Sequence, residues 1–249
     1  MRHIDLNADV GEGFGATDAA LVPLLSSANI ACGGHAGDAG TMAACVALCQ
    51  AHGVAIGAHP SYPDREGFGR RDVAIDAHDL RASLIAQILA LAEVAHASGA
   101  RLTHVKPHGA LYNRAAVDPV LAALVADAVR QVDPSLLLMG LAGSCVPVAG
   151  RAAGLGVLAE GFADRRYTEH GFLLPRNAVS AVIEDSGEVR EQLLSMVLEG
   201  CVVSACGSTV HIEPDTVCLH GDGPHAVAFA RLVRKVLGEA GVGIRAVKA

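Results

Sequence analysis

Residues 101–113 read Arg-Leu-Thr-His-Val-Lys-Pro-His-Gly-Ala-Leu-Tyr-Asn. A short strand-like run, 101–106, ends abruptly in polar groups and gives way to a segment of helical character. The same grammar recurs along the chain. Short apolar runs near 3–8, 27–32, 54–58, 136–140, 156–160, 208–212 or 216–219, and 242–247 alternate with longer segments of helical period, the pattern of repeated βα units and a parallel sheet. Apolar positions Leu80, Leu84, Ile88, Leu91 and Ala95 predict one amphipathic helix, and Ala226, Ala230, Val233 and Leu237 another. The second is expected to start at Asp222 as N-cap, with Pro224 in its first turn.

Periodicity alone does not separate a closed barrel from an open, doubly wound sheet. The polar motifs do. Nearly every strand before residue 165 ends in functional side chains, as expected when many strand ends ring one site, whereas an open sheet concentrates them at one switch point. The expected fold is therefore a (β/α) barrel of seven or eight parallel strands. Its 249 residues suit a single barrel domain over the whole chain, since no linker, repeat or low-complexity tract interrupts it.

Composition limits the partners. Apolar residues make up 51% of the chain but aromatics only 3%, which calls for a core of small aliphatic side chains packed on a buried sheet. A net charge of −7 argues against nucleic acid, whose binding needs clustered cations. No apolar run approaches the roughly 18 residues of a membrane span, and the start does not read as a signal peptide, so no membrane association and a cytoplasmic location are expected. Seven cysteines without a CxxC pair read as reduced thiols in a reducing compartment.

Asp5, Asn7 and Asp9 alternate along the first strand and share one face; three polar groups inside a buried strand point to a site, because burial without partners is costly. The loop after them, Gly11-Glu12-Gly13-Phe14-Gly15-Ala16, formally matches a dinucleotide fingerprint. It is rejected, because Asp9 and Glu12 would repel a pyrophosphate and no acid ends the second strand. Asn29 and His35 belong to the second strand and its glycine-rich exit, where Asp38 serves as either a helix cap or a functional acid. His59 ends the third strand, and Arg70 in the loop beyond it suits an anion or a solvated surface equally.

Lys106 and His108 alternate at the end of the fourth strand, a fixed cation beside a group that titrates near neutrality; His104 lies on the same face and suits a supporting role. Glu160 ends the sixth strand and is read as a general base, while Asp164 and Arg165 are read as loop groups or an ion pair. His220 and Asp222 stand at the last strand end, before a helix N-terminus that favours anions. Ser144 lacks a GxSxG elbow and is read as a hydrogen-bonding residue.

The motifs DLNADVGEGFG, SSANIACGGHAGD, GAHPSYPDREGFGRR, HVKPHGALYN, EGFADRRY and CLHGD, in this order, resemble the LamB/YcsF family over residues 3 to about 245. The resemblance implies a barrel related to glycoside hydrolases and polysaccharide deacetylases. It implies ATP-dependent opening of the 5-oxoproline lactam to glutamate with partner subunits B and C, and it leaves open whether copies of the chain associate as a homo-oligomer. One departure is visible: the family's CGFHAGD has Gly34 in place of Phe here, which is expected to widen the pocket beside His35.

On that basis Asp9, His35, His59, Lys106, His108 and Glu160 are expected to carry catalysis, and Asn7, Asn29, Arg70, His220 and Asp222 to bind substrate. No Walker motif occurs, so ATP binds in another manner or on the partners. Related deacetylases bind a divalent metal through one Asp and two His, which Asp9, His35 and His59 would match. The rival functions are then a metal-dependent amidohydrolase and a non-catalytic substrate-binding subunit.

Overall fold

The computed structural model describes residues 2–219 and 226–247. Five βα units and a sixth strand come first: β1 (His3–Val10), α1 (Gly15–Leu21) with a 3₁₀ turn (Val22–Leu24), β2 (Ser27–Ala31), α2 (Ala39–His52), β3 (Ala55–His59), α3 (Ala77–Ala97), β4 (Leu102–Val105), α4 (Gly109–Val117), α5 (Pro119–Val132), β5 (Leu137–Leu141), α6 (Cys145–Ala152) and β6 (Val157–Phe162). A long loop leads to α7 (Ser186–Leu194), which runs on as a π turn (Ser195–Glu199). Then come β7 (Cys201–Val203), β8 (Thr209–His211), β9 (Thr216–Leu219), α8 (Ala226–Glu239) and β10 (Gly243–Ile244).

Strands β1 to β6 pair in sequence, β6 pairs with β9, and β9 pairs back to β1, all in parallel. The ring closes with seven strands. Residues 208–212 and 216–219 competed for the seventh place. The latter wins: β9 is buried throughout, while β8 is exposed at Thr209 and His211 and pairs antiparallel with β7. The strand expected at 242–247 shrinks to β10, which pairs only with His3 and Ile4 outside the closed ring.

Alternation decides what fills the barrel. Leu6, Ala8 and Val10 of β1 are fully buried with the apolar core, while Asp5 and Asn7 are as deeply buried but hydrogen-bonded to other strands. The helices start where the sequence supplies caps: Asp38, Asp76, Asp118 and Asp185 each accept a backbone N–H in the first turn. Asp38 is thus a cap, 2.8 Å from the Thr41 nitrogen. Ser144 caps α6 in the same way, as its hydrogen-bonding reading expected.

Helix α3 alone, among the described residues, is long and apolar enough by length and composition to cross a membrane. Its Leu80, Leu84, Ile88, Leu91 and Ala95 are nevertheless buried in the core of the barrel, as its period predicts. The cap expected at Asp222 and the proline at 224 lie outside the described residues.

Candidate active site

The carboxyl ends of β1, β3, β4 and β6 bound a cavity of about 390 Å³, lined by Asp9, His59, Lys106, His108 and Tyr112, with Arg70 and Arg176 among its further lining residues. The site can be built from the inside of the barrel outward. Asp5, deepest, accepts from the hydroxyls of Ser26 and Ser27 at 2.6 Å and from Thr216; burial nevertheless pushes its pKa up. Asn7 spends its two amide hydrogens on Thr216 (2.8 Å) and Glu160 (3.0 Å). Asn29 spends its own on Asn7 and Asp9, both at 2.8 Å. The Asn29 carbonyl faces His104 Nε2 at 2.8 Å.

Lys106 stands on this platform. Its ammonium lies 2.8 Å from Glu160, 2.9 Å from Asp9 and 3.1 Å from Cys218 Sγ. Burial opposes its charge, but Asp9, Cys218 and Glu160 outweigh burial and hold its pKa well above the ordinary lysine value. The same balance runs the other way at Asp9: burial is outweighed by His59 and Lys106, and the carboxyl stays well below its usual range. Glu160 is fully buried and also accepts from the Tyr112 hydroxyl at 2.7 Å.

Beside the lysine three imidazoles crowd together. His35 stacks on His108 with ring centroids 3.6 Å apart and planes 4° from parallel, and His59 meets both edge-on. His35 Nε2 is 2.9 Å from a Glu12 carboxylate oxygen. Burial, then the charge of His59, lowers His35 to about 3; burial, His59 and His35 lower His108 to about 2. Buried His104 is likewise lowered to about 3, first by burial and then by Lys106. Glu12, His35, His59 and His108 form a group able to hold a metal ion, their ligand atoms all within 4.8 Å of one another.

All six residues expected to carry catalysis are therefore brought together, at different depths. Asp9, His59, Lys106 and His108 line the cavity. Glu160 lies beneath Lys106 and supports it, and His35 is packed behind His108 with 2% of its surface exposed. Asn7 and Asn29, expected to touch substrate, are completely buried and committed to neighbouring side chains; they are the frame of the site, not its lining. Arg70 sits on the rim, its guanidinium 4.8 Å above the Phe68 ring. His220 and Asp222 lie outside the described residues.

The metal triad expected at Asp9, His35 and His59 is revised, because one Asp9 oxygen is taken up by Lys106 and Asn29 while Glu12 and His108 close on the other two histidines. The expected widening at Gly34 is also corrected. A Cβ there would stand 2.2 Å from Gln87 Oε1, so the Gln87 side chain occupies that space.

Sequence reasoning passed over Glu12 and Tyr112. Glu12 entered only as a reason against pyrophosphate, although an acid three residues beyond Asp9, near two strand-end histidines, is itself a signal for a cation. Tyr112 sits in the first turn of α4, where a tyrosine reads as ordinary core.

A model of the LamB/YcsF family matches residues 4–249. A protein of Methylococcus capsulatus named as the A subunit of 5-oxoprolinase is 51% identical over 249 residues, covering 98% of this chain and 96% of that one. One of the same name from Neisseria meningitidis serogroup C is 49% identical over 246 residues, covering 99% and 100%. The crystal structure of a lactam utilization protein from Thermus thermophilus superposes with a TM-score of 0.92 at 44% identity, over 98% of this chain and all of that one.

Proposed function

The chain belongs to the LamB/YcsF family, and from that premise we propose that it is the component of an ATP-dependent 5-oxoprolinase in which the 5-oxoproline lactam is opened to glutamate. The observation that carries the reading is the near full-length likeness to relatives of that name, joined to a cavity in which a buried lysine and an aspartate lie side by side. A lactam is a resonance-stabilised amide. Its hydrolysis needs water brought to the carbonyl carbon, stabilisation of the oxygen as it gains charge, and a proton for the departing nitrogen.

Lys106 is suited to the second task. Glu160, Asn7 and the Cys218 thiol hold it from below, so its charge is in place before substrate arrives and little reorganisation is needed. Asp9 keeps its negative charge in the cavity and faces His59 Nε2 at 3.3 Å, the arrangement of a base beside an imidazole. Arg70 at the rim suits the substrate carboxylate.

ATP enters this reading as the donor of a phosphoryl group to the lactam oxygen with release of ADP; water then adds to the activated carbon, the C–N bond breaks as the nitrogen takes up a proton, and hydrolysis of the resulting acyl phosphate gives glutamate and phosphate. The chain has no Walker motif, so in this reading ATP binds here in another manner or on the partner subunits B and C. The relatives are named as one lettered component of a larger enzyme, which supports such partners, and a cytoplasmic complex is the setting proposed.

The test is Lys106→Met in the assembled complex. Glutamate formation from 5-oxoproline and ATP is expected to fall at least a hundredfold with the fold intact by circular dichroism, and unchanged turnover would remove Lys106 from the mechanism. A second reading, metal-dependent amide hydrolysis by this chain itself, is favoured by the grouping of Glu12 with three histidines. It calls for ATP-independent hydrolysis that a chelator abolishes.

A further inference from the structure

Hydrogen-bond chemistry fixes the tautomers of two of the clustered histidines. His59 Nδ1 lies 2.8 Å from the Lys106 carbonyl oxygen, and His108 Nε2 lies 3.0 Å from the Phe68 carbonyl oxygen. A carbonyl only accepts, so each of those nitrogens carries the hydrogen. In a ring that binds a metal the other nitrogen offers its lone pair, and these two, His59 Nε2 and His108 Nδ1, face one another at 2.9 Å.

What surrounds them is also acceptor. Glu12 Oε1 is 3.3 Å from His108 Nδ1 and 3.9 Å from His59 Nε2, and Asp9 Oδ2 is 3.3 Å from His59 Nε2. A single proton would join only one pair of these atoms. A cation at their centre satisfies three at once.

The geometry points to a divalent metal site made by Glu12, His59 and His108, with His35 as the residue that orients Glu12. The three separations of 2.9, 3.3 and 3.9 Å close a triangle whose circumscribed circle has a radius of about 2.0 Å. That matches the roughly 2.0–2.2 Å of zinc to imidazole nitrogen or carboxylate oxygen.

Outer partners of the kind that metal-binding histidines use are in place: a backbone carbonyl behind each ring, and His35 Nε2 donating to the Glu12 carboxylate at 2.9 Å. His35 itself is left out of the ligand set. Its ring is stacked parallel to His108, so the two in-plane lone pairs run side by side and do not converge on one point. Three protein ligands beside a cavity leave an open position, the arrangement of a catalytic site and not of a structural one. When bound, such an ion supplies Lewis acidity toward a carbonyl.

The inference deepens the metal-dependent reading but stands on ligand geometry alone, so its test needs neither substrate nor ATP. The full chain, stripped with a chelator, is titrated with Zn²⁺ by calorimetry and with Co²⁺ by visible absorption. One ion per chain is expected. Glu12→Gln and His108→Gln should each lower affinity at least a hundredfold, His35→Gln about tenfold, and Asp9→Asn should leave the stoichiometry unchanged.

The paramagnetic proton spectrum of the wild-type Co²⁺ form serves if the variants fail to fold. Two shifted, exchangeable imidazole N–H signals are expected, from His59 and His108. Absence of stoichiometric binding, binding that survives Glu12→Gln and His108→Gln, or fewer than two shifted imidazole N–H signals overturns the assignment. Absence of lactam turnover by the wild-type complex, with metal binding intact, would count against the lactam reading and leave this site standing.

Discussion

At Gly34 the structure couples two residues far apart in the sequence. Gln87 of α3 reaches under the loop, accepts from the Ser61 nitrogen at 3.0 Å and donates to the Ser61 carbonyl at 2.9 Å. It fills the space a side chain at position 34 would need. Gly34→Phe should therefore destabilise the chain by about 1–3 kcal/mol through overpacking, and Gln87→Ala in the same chain should restore part of the loss. Urea unfolding of the single and double variants decides it; a single variant as stable as wild type would show that Gln87 yields the space freely. Glu160 makes a second residue-scale case, because its carboxylate collects Lys106, Asn7 and Tyr112 in a fully buried setting. Removing one member of a buried ion pair costs about 3–5 kcal/mol, so Glu160→Ala should be severe. Tyr112→Phe, which takes away one hydrogen bond to the carboxylate, should cost about 2 kcal/mol. In the double variant the Tyr112 cost should largely vanish, since the two changes touch one network; additive losses would deny the coupling.

Among the elements, the loop between β6 and α7 is the part of the cavity wall least supported by regular structure. It is held from one side by Gln192 of α7, whose amide donates to the carbonyls of Phe162 and Arg165 at 2.8 Å and of Ala163 at 3.2 Å. From within, the Arg165 guanidinium donates to the carbonyls of Leu174 and Ala181, so that basic residue ties the loop together. Gln192→Ala should raise amide hydrogen exchange across residues 163–183 while leaving α5 protected, and in the complex it should raise KM more than it lowers kcat. Unchanged exchange in that loop would show that Arg165 alone secures it. This is also where the sequence was hardest to read. α3 and α8 were legible because their apolar rows recur at helical spacing, and the strands because each ran into a polar motif. β8 mimicked a barrel strand because Thr-Val-His alternates as well as Thr-Val-Cys-Leu does; only burial on both faces separates them. The π turn ending at Gly200, in the left-handed region at φ 70°, left no periodic trace. The convergence of Asp9, His59, Lys106 and His108 was legible from strand ends. The depth of Asn7, Asn29 and Glu160 was not, because depth follows from the register between strands, which no single strand records.

Taken as a whole molecule, the barrel is filled on its axis by ionisable and amide groups where a purely structural barrel would carry layers of branched aliphatics, and this has a consequence for its response to acid. His104 is the clearest case, since it contacts none of the proposed metal ligands in the hydrogen-bond network. Gly57 makes room for its ring: a Cβ there would stand 2.0 Å from Nε2. Nε2 donates to Asn29, and Nδ1 faces the Thr103 hydroxyl at 2.8 Å, a pair of contacts that fits the neutral ring. Burial, then Lys106, depress its folded pKa to about 3, against about 6.5 in the unfolded chain. Between those values the unfolded chain binds a proton that the folded chain does not, so stability falls as pH falls. The contribution is complete above about pH 6.5 and is lost at about 1.4 kcal/mol per pH unit on the way down. His104→Gln keeps a donor for Asn29 and an acceptor for Thr103 but cannot titrate. Urea unfolding of the two proteins at intervals from pH 6.5 to 4.5 should therefore give a shallower slope for the variant, by about 1.4 kcal/mol per unit. Equal slopes would mean that His104 takes up a proton inside the folded barrel, and the neutral network through Asn29 that carries Asn7 and Asp9 would have to be redrawn.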